Sequence, residues 1–78
     1  MNALVLFKMD NWVTSEMTEQ IRSKSLANVK QLICGPMRDQ LIVDIAFSRT
    51  TDLNVALSEL AGLPHVKNAT VVHVTHES

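Results

Sequence analysis

The 78-residue chain holds one cysteine, two glycines and no tyrosine, and aromatic residues make up only 4% of it. Each shortage excludes something. A lone Cys34 cannot close an intrachain disulfide or assemble a thiolate metal cluster, which fits a reducing compartment and predicts a cytoplasmic protein. With Gly35 and Gly62 as the only glycines, neither a phosphate-cradling P-loop nor a dinucleotide fingerprint can be built. Seven basic against eight acidic residues leave a formal net charge of −1 and no basic run, so direct nucleic-acid binding is not expected. The N-terminal apolar run Ala3 to Phe7 is too short for a signal-peptide core and far too short to cross a bilayer, and it reads as a strand of a soluble protein.

What the chain does have is material for one core. A hydrophobic fraction of 46% and a charged fraction of 19% describe a single folded domain over residues 1–78, built from Leu, Val, Ile, Ala and Met because aromatics are scarce. A domain this small without disulfide or metal staples is expected to oligomerise.

Along the chain, Ala3-Leu4-Val5-Leu6-Phe7 is apolar at every position, the pattern of a central strand covered on both faces. Thr14 or Ser15 can cap a first helix, with Glu16 and Glu19 in its positive first turn and Met17 and Ile21, flanked by Val13 and Leu26, on its apolar stripe. Arg22 and Lys24 lie toward its negative end and Asn28 can stop it. Val29 to Cys34 reads as an irregular edge strand. Gly35-Pro36-Met37-Arg38-Asp39 then turns the chain, glycine allowing positive φ and proline ending the ladder. From Gln40 the alternation sends Leu41, Val43, Ile45 and Phe47 to the core, and Ile42, Asp44, Ala46 and Ser48 to the other face. Thr50 or Thr51 caps a second helix whose stripe is Leu53, Leu57, Leu60 and Ala61, with Gly62 as a left-handed C-cap and Pro64 blocking continuation. Val66 to Val74, rich in β-branched residues, closes the fold as a strand. Met9, Met17 and Met37 are expected to fill gaps in the core.

The order βαββαβ, with right-handed crossovers about a central hairpin, predicts an α+β ferredoxin-like sandwich: a four-stranded antiparallel sheet with both helices on one face. The other face carries Leu4, Leu6, Ile42 and Asp44, and this apolar patch predicts a homodimer or larger assembly. Asp44 must then lie at the rim or find a cation such as Lys8 across the dyad.

Catalytic signatures are missing. His73 and His76, three apart on an extended strand, leave opposite faces, and with no C-x-x-C spacing a metal site is not expected. Cys34 has Lys30 and Arg38 nearby in sequence, which can lower a thiol pKa, but a partly buried, inert thiol is the simpler reading. Asp39 and Asp44 fall on opposite strand faces and form no acid–base pair. Trp12 could plug the end of the sheet, line a ligand pocket or anchor a dimer. These features favour a protein that is not an enzyme and needs no cofactor.

Over nearly its whole length the chain resembles the ligand-sensing domain of the Lrp/AsnC regulators, through the Gly35 to Asp39 hairpin, Leu41-Ile42-Val43-Asp44-Ile45 and Leu63-Pro64-His65-Val66, with His65 where that family usually has glycine. It is similar to ACT domains in element order and in the Leu-Pro-x-Val turn after a short helix, their ligand loop corresponding to Asp10-Asn11-Trp12. It also looks like NapD-type chaperones over Pro36, Gln40-Leu41-Ile42-Val43 and Val66 to Val72. The first two resemblances imply a homo-oligomeric sensing module that binds a small molecule, an amino acid by class, near a subunit interface through Asp10, Asn11, Trp12, Arg38 and Asp39. The third implies a chaperone that adds a twin-arginine signal peptide to a sheet edge. A small dimeric enzyme is a further alternative.

Overall fold

The structure, a computed structural model, describes residues 1–23 and 28–75. It is a mixed α+β domain of four antiparallel strands and two helices: β1 Asn2–Met9, α1 Ser15–Ser23, β2 Asn28–Cys34, β3 Gln40–Ala46, α2 Thr50–Ala61 and β4 Val66–Thr75. The sheet order is β2-β3-β1-β4, so β1, with its apolar run Ala3 to Phe7, is central, as its sequence predicts, and β2 is an edge.

Alternation decides which way the sheet faces. In β1 the side chains of Ala3, Val5, Phe7 and Met9 are buried, and in β3 those of Leu41, Val43 and Ile45, with Phe47 just beyond. Antiparallel pairing sets Val5 opposite Val43 and Ala3 opposite Ile45, which places the two buried sets on one surface. Met17 and Ile21 of α1 and Leu53, Ala56 and Leu60 of α2 belong to the same core cluster. The opposite surface of the central strands, Leu4, Leu6, Ile42 and Asp44, is only partly covered. β4 follows β1 with an extra residue at Val72 and another at Lys67, where the pairing register shifts.

Thr14 caps α1 as expected, its Oγ1 accepting from the Met17 N–H at 3.3 Å. Asn28 does not stop that helix: it opens β2. The expectations placed on Lys24, Leu26, His76 and the Cys34 side chain lie outside the described residues. At the start of α2 neither threonine caps. Arg49 is the N-cap, makes no side-chain cap bond, and accepts through its carbonyl from the Asp52 and Leu53 amides.

Three further expectations need correction. The inner stripe of α2 is Leu53, Ala56 and Leu60, while Leu57 is partly buried and Ala61 exposed. The helix turns its small Ala56 inward, which rotates the larger Leu57 toward the margin. Gly62 is right-handed at φ −83°; its N–H donates to the Glu59 carbonyl at 3.2 Å, and the Leu60 carbonyl accepts from the Leu63 N–H at 3.2 Å. The left-handed residue is instead His65, at φ 74°. Met37 is 61% exposed and fills no core gap, unlike Met9 and Met17.

Gly35 has no positive φ either. Its lack of a side chain serves a close approach, since a Cβ there would stand 2.7 Å from the Gln40 Cβ. The Gly35 N–H donates to the Gln40 carbonyl at 3.1 Å and closes the hairpin.

Truncation of the fully buried Leu60 to alanine should cost about 2–5 kcal/mol in urea unfolding, and the same change at Leu57 distinctly less. Equal losses, or a larger loss at Leu57, would reverse the assignment of the inner face of α2.

Candidate functional site

Where β1 ends, the chain leaves the sheet through Asp10, Asn11 and Trp12, and the antiparallel pairing of β1 with β3 brings the β2–β3 hairpin alongside. The Met9 N–H donates to the Asp39 carbonyl at 2.7 Å and the Val13 N–H to the Arg38 carbonyl at 2.8 Å, so the loop is pinned to the hairpin at both ends. A third bond, from the Asp10 N–H to the His65 carbonyl at 2.8 Å, ties it to the segment before β4. Within the loop, the Asn11 Oδ1 accepts from the N–H of the adjacent Trp12 at 2.8 Å. On the hairpin side the Gln40 Oε1 accepts from the Met37 N–H at 3.3 Å.

The two segments enclose an open cleft of about 520 Å³ lined by Asp10, Asn11, Trp12, Pro36, Met37, Arg38 and Asp39. All five residues singled out from the sequence, Asp10, Asn11, Trp12, Arg38 and Asp39, therefore meet in one place. Trp12 does not plug the sheet: it is 62% exposed. The Arg38 guanidinium lies 4.8 Å from the centre of its ring, a cation–π contact that holds the guanidinium at the cleft. A smaller hollow of about 300 Å³, between Trp12, Val13, Gly35 and Gln40, shares Trp12 and the hairpin with it.

Charge in the cleft is mixed. Arg38 supplies a cation, Asp10 and Asp39 carboxylates. Asp10 is engaged on one side by His65, whose Nδ1 stands 3.2 Å from its Oδ1. His65 is the functional candidate that sequence reasoning did not single out, since it is fifty-five residues from Asp10 and no local pattern relates the two. Pro36 and Met37 were likewise read only as turn and core.

The lining carries no hydroxyl, thiol or amine side chain; its ionisable groups are the Asp10 and Asp39 carboxylates and the Arg38 guanidinium. Among the described residues no group of three or more His, Cys, Asp or Glu is placed to hold a metal ion, and no helix is long and apolar enough to cross a membrane. The cleft offers several kinds of polar and apolar group. A guanidinium offers paired donors to a carboxylate, two carboxylates offer acceptors to an ammonium group, and an exposed indole offers an apolar face. Compared with protein-family models, with curated proteins and with solved structures, the chain matches none.

Replacing Arg38 by alanine should change the emission of Trp12, the only tryptophan, and lower the melting temperature by about 2–8 °C, because an exposed cation–π pair contributes about 0.5–1 kcal/mol in a domain of this size. Unchanged emission would show that the guanidinium does not sit over the ring in solution.

Proposed function

We propose that this chain is a ferredoxin-like sensing module that binds a small zwitterion, an amino acid by class, in the cleft between the β1–α1 loop and the β2–β3 hairpin. It acts as a cytoplasmic homo-oligomer and catalyses no reaction of its own. Support for the fold comes from the element order, from the sheet order β2-β3-β1-β4, and from the joint cluster that buried residues of both helices form with one face of the strands. The observation that carries the ligand class is the convergence of Arg38, Asp10, Asp39 and Trp12 on one open cleft. Its volume falls within the range of small-molecule sites, about 300–1,000 Å³. The Arg38 fork would take the ligand carboxylate, the Asp39 carboxylate and the free side of Asp10 its ammonium group, and Trp12 part of its side chain.

A second reading is peptide binding by strand addition. It draws on β4, an edge strand of ten residues with Val72 63% exposed.

Thermal unfolding in the presence of the twenty amino acids separates the two. One or a few should raise the melting temperature saturably, with stabilisation of about 2.7 kcal/mol at a hundredfold excess over Kd. Arg38→Ala should abolish the shift. No shift with any amino acid, or one that Arg38→Ala leaves intact, would remove the cleft as a zwitterion site. Stabilisation by a twin-arginine peptide alone would favour strand addition.

A further inference from the structure

The sheet surface turned away from the core carries an anomaly. The Oδ1 of Asp44 is buried yet has no hydrogen-bond partner among the described residues. Its surroundings follow from the strand register. Asp44 stands between Gln31 of β2 and Leu4 of β1, and Leu4 is in turn paired with His73 of β4, so one row across the sheet reads Gln31, Asp44, Leu4, His73. The next row reads Ile33, Ile42, Leu6, Thr70. Asp44 and His73 flank Leu4 symmetrically, two strand spacings or roughly 9–10 Å apart, too far to bond within one chain. Within one chain Lys8 is also out of reach of Asp44: it pairs across with Gln40 and Asn68, four residues along β1 from Leu4.

From this row we infer that the surface docks a second copy of the chain, face to face, about a two-fold axis that runs along β1. Such an axis returns Leu4 to Leu4 and Leu6 to Leu6 and exchanges the β3 and β4 sides of the sheet. Each Asp44 then meets the partner's His73, and each His73 the partner's Asp44. An imidazole N–H donated to the orphan Oδ1 satisfies the buried acceptor twice per dimer, as a self-complementary patch requires. The aliphatic groups between the two bonds, Leu4, Leu6 and Ile42, with Ile33 at 43% exposure beside them, are withdrawn from water in the same step. The inference specifies the oligomer of the proposed function and does not depend on what the cleft binds.

A charge swap tests the pairing. Sedimentation equilibrium of the intact chain at micromolar concentration should give a dimer. Asp44→Lys and His73→Glu should each loosen it by about tenfold or more, the scale of a lost pair with a buried charged group. Mixing those two variants should restore the affinity, because the mixed dimer sets the introduced lysine of one chain against the introduced glutamate of the other and keeps the native pair on the other side of the axis. Circular dichroism confirms that each variant is folded, and the milder pair Asp44→Asn and His73→Gln repeats the measurement should either fail to fold. A wild type that stays monomeric at about 100 μM, the scale on which weak specific dimers form, or a mixture no tighter than its parents, overturns the inference. So does a monomer whose Leu4, Leu6 and Ile42 resonances shift on adding an arginine-containing peptide, which gives the face to that peptide instead. Amino-acid stabilisation is read on the same samples, so loss of the dimer and loss of the cleft ligand are told apart.

Discussion

Everything in this domain depends on the register between β1 and β3, in which Val5 stands opposite Val43 and Leu4 opposite Asp44. A slip of one residue in a strand moves all its side chains to the other face. β1 alone would tolerate that, because Leu4 and Leu6 are as apolar as Val5 and Phe7. β3 would not: the slip carries Asp44 into the apolar core, where an unpaired carboxylate is expensive. One acid among the aliphatic residues of β3 thus fixes which face of the strand turns to the core. The same acid, left with an orphan oxygen on the opposite face, creates the demand that a second molecule can meet.

The cleft is a second consequence of that register. Antiparallel strands that pair Lys8 with Gln40 must bring the residues after β1 beside the residues before β3. Asp10 to Trp12 and Pro36 to Asp39 are neighbours for this reason and not through any sequence proximity. The backbone bonds from Met9 and Val13 to Asp39 and Arg38 extend the pairing beyond the strands, so the cleft walls rest on main chain, and the side chains of Asp10, Trp12, Arg38 and Asp39 stand on it. A pre-formed wall carrying polar tips would suit the zwitterion binding proposed for the cleft.

Much of this was legible in the sequence because strand alternation is a strong signal. The burial of Leu41, Val43, Ile45 and Phe47, the central place of β1 and the hairpin at Gly35 to Asp39 all follow from period-two patterning and turn chemistry. The five cleft residues were placed together by resemblance of loops, and the pairing of β1 with β3 accounts for it. Where sequence reasoning failed, the deciding term was tertiary. The face of α2 is set by how closely the helix approaches the sheet, which favours Ala56 inward over the bulkier Leu57. The left-handed residue is His65 and not a glycine, because the chain must turn there to bring its carbonyl onto the Asp10 amide. Trp12 has no sequence feature that separates plugging from exposure; its ring meets the Arg38 guanidinium of the hairpin, a long-range contact that no local pattern relates.

The register itself is open to direct measurement. Cross-strand nuclear Overhauser contacts in the protein in solution report which residues of β1 and β3 lie opposite one another. Contacts between Val5 and Val43, Leu4 and Asp44, and Leu6 and Ile42 are the result this account predicts. Contacts displaced by one residue, with Val5 opposite Asp44 or Ile42, would turn Asp44 inward, separate the two walls of the cleft and contradict it.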